Sequence, residues 1–313
     1  MVVLLCGIPS ETPLALVRHE LAASGITWIE FNQRLFTKAE LSYEVDAGEI
    51  RGSLRLGSAE FDVSEISGVY VRLMDDRLLP ELASEPDGSP LRRHCRQLHD
   101  ALTAWFEIAQ GRVVNRYSAM GSNGSKPYQA QLILEHGFRT PETLVTNDPD
   151  AVVAFRREYG RVIYKSLSGL RSIVSELTDD DLSRLDRVRS CPTQFQEYID
   201  GQNVRLHVVG THVFATTVTA DGIDYRYAHQ AGANAPELAA ADVPDRIATQ
   251  AVALTADLGL AFAGIDLIIG SDGYAYCLEV NPSPAFSYYE QHTGQPIAKA
   301  VAQYLAGSGQ ALV

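Results

Sequence analysis

The sequence predicts an α/β fold that is assembled from several sheets. Near the N-terminus, an apolar run over residues 2–6, a helical pattern over 13–24 and a second apolar run over 27–31 form a β-α-β unit. A β-α-β start is typical of an open α/β sheet. Near the C-terminus, two apolar runs flank the short turn sequence Ser271-Asp272-Gly273, which predicts a β-hairpin.

The composition is that of a large globular protein with an acidic surface. The chain has 313 residues, of which 46% are hydrophobic, so it is long enough for two or three domains. Its net charge of −13 disfavours general electrostatic binding to nucleic acid or to an anionic membrane. The four cysteines are too widely spaced to indicate a zinc site or a disulfide framework. The N-terminal apolar run has no charged flank and no cleavage site, so we expect a cytoplasmic protein with no membrane partner.

The first of three predicted parts is an open-sheet domain over about residues 1–112. Short β-rich runs predict strands over residues 49–56, 59–62 and 68–73. An apolar face at helical spacing predicts a helix over 91–110. The turn that begins at Gly7 lacks the glycine spacing of a dinucleotide site.

The second part, over about residues 113–195, is expected to form a lid. Its helices are predicted over 128–136 and 148–159 and its strands over 162–165 and 173–176. Gly137 is placed to end the first helix, and Asn147 or Asp148 is placed to cap the second.

The third part, over about residues 196–313, is expected to contain most of the chemistry. Strands are predicted over 194–199, 204–209 and 211–219, and helices over 245–258 and 296–305. Residues 221–243 are expected to be irregular. The predicted hairpin lies between these two helices.

The hairpin carries the strongest signal for chemistry. Asp266 lies in its first strand, and Glu279 and Asn281 lie two residues apart in its second. Because residues i and i+2 of a strand face the same side, we expect all three side chains on one face. Apolar residues flank both acids, and buried acids almost always have partners. Carboxylate and amide oxygens suit Mg²⁺ bound together with substrate phosphates, so the hairpin predicts a magnesium site for nucleotide chemistry.

Four basic residues are candidates for contacts with phosphate. Lys165 ends an apolar strand, where its ammonium is costly to bury unless it meets an anion, and Lys126 precedes a helix. We predict that both bind nucleotide phosphates; the alternative is that they extend into solvent. Arg205 alternates with apolar residues, and Arg226 lies in an acidic and aromatic turn. Each is a candidate catalytic residue that holds the γ-phosphate or an acyl-phosphate, with a surface salt bridge as the alternative.

From about residue 113 to 286, the order of these elements resembles an ATP-grasp ligase of the RimK-like branch. The resemblance is carried by Asn-Gly-Ser-Lys126, the strand-end Lys165, Gln196-Glu197-Tyr198-Ile199, Arg205, and the trio Asp266, Glu279 and Asn281. Within that branch, the chain is similar to the microviridin-type maturases of crosslinked peptides. This similarity is carried by Gly-Val-Tyr-Val-Arg72, Val-Asn115-Arg, Asn-Gly-Ser-Lys126-Pro-Tyr-Gln and the segment from Pro141 to Pro149. The resemblance implies an ATP-grasp fold behind an N-terminal pre-ATP-grasp domain, with ATP and Mg²⁺ as cofactors.

The resemblance also implies which residues bind the nucleotide. The segment Gln196, Glu197, Tyr198 and Ile199 would supply an acceptor for the adenine amine and a backbone N–H for a ring nitrogen. Asn203 stands where the family often has an acid near the ribose or the phosphates. Ser168 and Gly169 belong to the loop over the phosphates, where a nest of backbone N–H groups can bind an anion even though the loop has a single glycine.

The implied reaction is ATP-dependent ligation of a carboxylate to an amine or a hydroxyl through an acyl-phosphate. The first hypothesis is a peptide or protein substrate, such as a precursor peptide. The second is a glutamate-ligase-like enzyme that adds an amino acid to a small molecule or short peptide. The third is a nucleotide-binding module without ligase activity. The resemblance also implies a homodimer.

Overall fold

The structure, a computed structural model, describes residues 2–166, 174–220 and 236–307. Its first part comprises β1 (Val2–Gly7), α1 (Thr12–Ala23), β2 (Trp28–Asn32), β3 (Ala39–Asp46), β4 (Glu49–Leu56), β5 (Ala59–Asp62), β6 (Ile66–Arg72), α2 (Pro90–Ile108) and β7 (Arg112–Val114). Four of these strands form a parallel sheet in the order β2-β1-β6-β7. The strands β3, β4 and β5 form a separate antiparallel sheet.

Strand β1 is apolar on both faces because helices cover both faces of its sheet. Leu4 and Cys6 belong to the hydrophobic cluster that contains the buried face of α2. Val3 and Leu5 belong to a second cluster, which contains the buried face of α1. Alternate side chains of a strand point to opposite faces, so a strand between two helical layers reads as a continuous apolar run.

The central part comprises α3 (Lys126–Glu135), β8 (Thr143–Thr146), α4 (Pro149–Tyr159), β9 (Val162–Ser166), β10 (Ser175–Glu176), α5 (Asp179–Leu182) and β11 (Thr193–Glu197). Its four strands form an antiparallel sheet in the order β10-β9-β11-β8. Its core includes Val152, Val162 and Phe195. The side chain of Asp148 accepts a hydrogen bond from the N–H of Asp150 and so caps α4, as predicted.

The last part comprises β12 (Gly201–Val209), β13 (His212–Thr219), β14 (Glu237–Ala241), α6 (Asp245–Asp257), β15 (Phe262–Gly270), β16 (Ala275–Asn281), α7 (Ser287–Thr293) and α8 (Ile297–Leu305). Its five strands form an antiparallel sheet in the order β14-β13-β12-β15-β16. Helix α6 packs on this sheet through Ile247, Ala251 and Leu254. Helix α8 instead packs against α1 and the first sheet, so the end of the chain stabilises its beginning.

One prediction about local structure is wrong. Residues 221–243 were expected to be irregular, yet Glu237–Ala241 is strand β14, which pairs with β13 in antiparallel register. The strand is rich in alanine, which has low β-propensity, so cross-strand pairing rather than local preference defines it. The short helices α5 and α7 and the strand β3 also had no sequence prediction.

The helices serve as covers for the sheets. The longest of those described above, α2, has 19 residues and a single apolar face. Within the described part of the chain, no helix combines the length and the apolar character needed to cross a membrane.

Candidate active site

The hairpin of β15 and β16 places the two acids directly opposite each other. Asp266 pairs with Glu279, and Gly264 pairs with Asn281, so the three polar side chains share one face as predicted. The register shifts after Asp266, because Leu267 pairs with Cys277 and leaves Leu278 as an extra residue. Such a β-bulge increases the local twist and is common next to active sites. The side chains of Asp266 and Glu279 are 20% and 22% exposed, which leaves both carboxylates accessible from one side.

A cleft between the central sheet and the last sheet brings most of the predicted nucleotide-binding residues together. Its lining includes Lys165 on β9 and the segment 196–199 on one side, with Asn203, Asp266 and Glu279 of the last sheet on the other. Apolar side chains complete the wall: Ile163, Val204, Leu267, Ile268 and Leu278. A mostly apolar cleft with a few convergent polar groups is typical of a small-molecule site.

The side chains of Gln196 and Glu197 tie strands of the central sheet together. Gln196 Nε2 donates to Thr143 Oγ1 at 2.9 Å, and Glu197 Oε1 accepts from the backbone N–H of Glu142 at 3.0 Å. The N–H of Glu197 also donates to the carbonyl of Glu142. These bonds fix the backbone of the segment, so recognition of a base at this position would depend on main-chain groups.

Tyr198 is held in place by a residue at the start of β9. Its N–H donates to the carbonyl of Arg161 at 2.9 Å, and the guanidinium of Arg161 lies 3.7 Å from the centroid of its ring. Arg161 in turn makes two hydrogen bonds of 2.9 Å to Glu176 on β10. A cation over an aromatic face is attractive, so this stack stabilises the segment that leads from the central sheet into β12.

Each acid of the hairpin is paired with one of the predicted basic residues. Lys126 Nζ lies 2.6 Å from Glu279 Oε2, and Arg205 Nη1 lies 2.7 Å from Asp266 Oδ1. Arg205 and Asp266 are direct neighbours on β12 and β15, and the Arg205 side chain is only 7% exposed. A guanidinium that is buried to this degree needs an ionic partner. In this site, each of the two acids neutralises one of the two basic side chains.

The donor set of the hairpin fits a hard divalent cation. Two carboxylates and the amide of Asn281 offer oxygen ligands, which Mg²⁺ prefers and usually supplements with water and substrate phosphates. Cys277 is buried beside them, and burial, followed by the charges of the two acids, raises the pKa of its thiol well above the usual value. A thiol that stays protonated is a poor metal ligand. In the residues described, no cluster of three or more His, Cys, Asp or Glu side chains provides an alternative metal site.

The surroundings of Arg205 are shaped by a glycine and two aromatic or imidazole rings. A Cβ at Gly264 would lie 2.1 Å from Arg205 Nη2, so only glycine leaves room for the guanidinium. The Cζ of Arg205 lies 5.7 Å from the centroid of the Tyr289 ring, and the centroid of the His207 ring lies 4.9 Å from that of Tyr289. His207 is fully buried; burial first, and the charge of Arg205 second, lower its pKa well below the usual value. His207 is therefore neutral at pH 7 and adds no repulsion to Arg205.

Arg72 links the first sheet to the turn that follows β16. Its Nη1 donates to Ser283 Oγ at 2.9 Å and to the carbonyl of Pro284 at 3.3 Å. The N–H of Ser283 donates to Asn281 Oδ1 at 2.9 Å. Glu11 forms a salt bridge with Arg72 and neutralises it. Arg72 is part of the motif that carries the family resemblance, but it was assigned no role, although the carboxyl end of a parallel strand is where open α/β sheets place functional residues.

Asn115 fixes the other end of the same hairpin. Its Nδ2 donates to the carbonyls of Phe262 and Pro282, both at 2.6 Å. Its Oδ1 accepts from the N–H groups of Ala261 and Phe262. The amide is buried and fully bonded, so it joins the start of β15 to the end of β16. Asn115 belongs to a motif that carries the family resemblance, but it was assigned no role.

Three of the predicted site residues, Ser168, Gly169 and Arg226, lie outside the described residues. The remaining predicted residues converge on one region. Lys165, Gln196, Glu197, Tyr198, Ile199, Asn203, Asp266 and Glu279 line the cleft. Lys126 and Arg205 reach its acids from the neighbouring elements, and Asn281 follows on the same face of β16.

The fold and the site define a nucleotide-binding enzyme of the ATP-grasp class, in which two sheets hold the nucleotide between them. The RimK-like ATP-grasp domain matches residues 124–305, and the chain belongs to this family. It is an ATP-grasp ligase, and its cofactors are ATP and Mg²⁺. Membership in a ligase family favours an enzyme over a nucleotide-binding module without activity.

Similar proteins fall into two groups. The macrocyclase MdnC from Microcystis aeruginosa MRC, bound with precursor peptide MdnA, shares the fold with a TM-score of 0.78 and 24% identity over 98% of this chain and 100% of that chain. The ATP-grasp ligase PsnB, complexed with minimal precursor, Mg and ADP, has a TM-score of 0.77 and 26% identity over 98% of this chain and 96% of that chain. A probable alpha-L-glutamate ligase of Pasteurella multocida is 27% identical over 224 residues, which are 68% of this chain and 70% of that protein.

Proposed function

We propose that this ligase activates a side-chain carboxylate of a peptide or protein substrate as an acyl-phosphate and joins it to an amine or a hydroxyl. The observation that carries the proposal is the acid pair Asp266 and Glu279, which lies across one cleft from Lys165 and the segment 196–199. The similarity to PsnB, whose structure includes a precursor and ADP, extends over 98% of this chain and supports a peptide substrate.

In this proposal, Asp266, Glu279 and Asn281 bind Mg²⁺, and Lys126 and Lys165 bind the phosphates. Backbone groups of residues 196–199 bind adenine, while Asn203 lies near the ribose. Ser168 and Gly169, which lie outside the described residues, are further predicted contacts to the phosphates. The division into an N-terminal domain (1–112), a lid (113–195) and a C-terminal domain (196–313), a homodimer and a cytoplasmic location remain predictions.

The reaction has two steps. A substrate carboxylate oxygen attacks the γ-phosphorus, and ADP leaves. An amine or hydroxyl then attacks the acyl carbon, phosphate leaves, and the nucleophile loses its proton. Bound Mg²⁺ supplies charge neutralisation at the phosphate oxygens. The enzyme contributes mainly orientation and preorganised positive charge.

The ion pairs of the site fit this chemistry. Bound phosphates would give Lys126 and Arg205 an anionic partner, and Mg²⁺ held by Asp266 and Glu279 would neutralise the two carboxylates. Arg205 can form a planar, bidentate contact with a phosphoryl group, which suits the developing charge of the acyl-phosphate. Arg226 is the second candidate for that contact.

The alternative substrate is a small molecule or short peptide that is extended by an amino acid. The glutamate-ligase relatives favour it, because they are similar in sequence at 24–28% identity. Against it, the glutamate ligases of Pasteurella and Marinomonas match 68% and 88% of this chain, whereas the match to PsnB, whose structure includes a precursor, covers 98%. The peptide substrate is therefore the first choice.

ADP release separates the two substrates. The enzyme is incubated with Mg·ATP and either acidic peptides that also contain Ser, Thr and Lys, or free glutamate with short acceptor peptides. We expect ADP release and loss of water from the acidic peptides. Release with glutamate alone would favour the alternative, and no release above background with any acceptor would contradict the ligase assignment.

A matched pair of variants connects that activity to the site. Glu279→Gln should abolish release of ADP. Glu30→Gln is the control, because Glu30 is similarly exposed, at 20%, and pairs with Arg18 at 3.0 Å in the first sheet. Equal activity of the two variants would contradict the metal assignment.

A further inference from the structure

Strand β16 is an edge strand, and its outer edge is bonded to non-strand groups. At one end, the N–H of Arg139 donates to the carbonyl of Ala275, and the N–H of Cys277 donates to the carbonyl of Arg139. Further along, Gln129 Nε2 donates to the carbonyl of Val280, and Gln129 Oε1 accepts from the N–H of Val280, both at 2.9 Å. The Gln129 amide thus pairs with Val280 as a residue of a neighbouring strand would.

The bonded residue lies between two proposed metal ligands. Val280 separates Glu279 from Asn281, and the extra residue of the bulge, Leu278, lies immediately before them. A bulge leaves an edge strand locally unpaired and alters the direction of its side chains. With both main-chain groups of Val280 fixed, the peptide planes on either side of it have one orientation. The directions of the Glu279 and Asn281 side chains follow from that orientation.

The turn of α3 that carries Gln129 also contacts the proposed metal ligand Glu279 directly. Lys126 and Gln129 are three residues apart on α3, which places them on one side of the helix. Lys126 binds the Glu279 carboxylate at 2.6 Å, and Gln129 binds the backbone of the next residue. Gln129 is 3% exposed, so water cannot readily replace its bonds.

We propose that Gln129 is a positioning residue that sets the geometry of Glu279 and Asn281 for the metal ion. The proposal rests on the metal site of the proposed function. Groups that orient metal ligands without touching the metal usually change metal affinity about 10- to 100-fold when they are replaced. We expect a loss of this size when the amide of Gln129 is removed.

The chain contains a matched control. Gln33 Nε2 donates to the carbonyl of Met74 at 2.7 Å, and Gln33 Oε1 accepts from the N–H of Met74 at 2.8 Å. Gln33 is also 3% exposed, and it lies next to the first sheet. The substitutions Gln129→Met and Gln33→Met therefore remove the same pair of main-chain bonds at the same burial, and only the first removes them from the metal-binding strand. Gln129→Met also removes a longer bond, of 3.5 Å, from Nε2 to Ser122 Oγ.

The test measures metal binding directly. Mn²⁺ is titrated into each full-length variant in the presence of ADP, and bound Mn²⁺ is followed by electron paramagnetic resonance. We expect Gln129→Met to weaken Mn²⁺ binding at least tenfold and Gln33→Met to leave it within about twofold of wild type. Equal losses in both variants, or no loss in either, would overturn the proposal.

Two further measurements keep the result interpretable. In wild-type protein, hydrogen exchange at the Val280 amide should be slow, as at the Met74 amide; fast exchange at Val280 would overturn the proposal even if Gln129→Met does not fold. Glu279→Gln is titrated in parallel. If that variant binds Mn²⁺ like wild type, the proposed metal site is wrong; if it loses binding while Gln129→Met does not, only the role of Gln129 is wrong.

Discussion

Substituting Gly264 by alanine tests whether the position of Arg205 matters, without removing any charge. The new Cβ would lie 2.1 Å from Arg205 Nη2 and 2.6 Å from its Cζ. It would also lie 2.8 Å from Pro284 Cβ. The backbone of Gly264 is not in the left-handed region, so alanine adds no backbone strain.

The size of the effect follows from these distances. Ordinary van der Waals contact begins at 3.4 Å, so the end of the flexible arginine side chain must move by roughly 1 Å. Pro284 must also shift, because its Cβ lies closer than 3.0 Å. A displacement of about 1 Å in a group that orients reactants costs on the order of 100-fold in rate. That loss corresponds to about 2.7 kcal/mol of transition-state stabilisation.

Steady-state kinetics of ADP release would measure this loss. We expect Gly264→Ala to lower kcat about 100-fold, with a much smaller change in the KM for ATP. The melting temperature should fall because Pro284 must also shift, so kinetics are measured at a temperature where the variant is folded. Gly121→Ala is the control, because nothing lies within 4 Å of its Cβ position. A Gly264→Ala enzyme with full kcat would refute the argument that the placement of Arg205 is needed for catalysis.

Three other substitutions have defined outcomes. Lys126→Met should raise the KM for ATP about tenfold, as one lost phosphate contact predicts, and an unchanged KM would contradict a role in nucleotide binding. His207→Phe should reduce acid sensitivity: the pKa of His207 is lowered in the fold, so wild-type stability is complete above the ordinary value of 6.5 and falls below it, by up to about 1.4 kcal/mol per pH unit. In thermal melts from pH 7 to 5, the melting temperature of wild type should fall more steeply than that of the variant. Equal falls in the two proteins would argue against a neutral buried imidazole. Glu290→Gln should raise the melting temperature at pH 7, because burial raises the pKa of that carboxyl and makes its ionised form costly. The gain should disappear at a pH below 4.5, the ordinary pKa of a glutamate carboxyl. A gain that persists at that pH would contradict this explanation.

The acid pair of the hairpin could be predicted from the sequence because its geometry is local. Residues i and i+2 share a face of any strand, and a short Asp-Gly turn fixes which strands are partners. The structure accordingly places Asp266 opposite Glu279. Lys165 lies in the cleft near the end of its strand, and its contact with phosphate stays a prediction.

The contacts that hold the site in place could not be predicted, because they join distant parts of the chain. Gln129 and Val280 are 151 residues apart, and Arg72 and Ser283 are 211 residues apart. No periodicity in the sequence indicates such pairs. Strand β14 was missed for a related reason, because its alanine-rich sequence favours a strand only when β13 lies beside it.

Oxygen transfer from substrate to phosphate tests the central claim most directly. An acidic peptide is labelled with a heavy oxygen isotope in its side-chain carboxylates and is incubated with the enzyme, Mg²⁺ and ATP. An acyl-phosphate mechanism predicts one labelled oxygen in each released phosphate, one ADP per new bond, and loss of one water from the peptide. Unlabelled phosphate together with a crosslinked peptide, or formation of AMP in place of ADP, would contradict it.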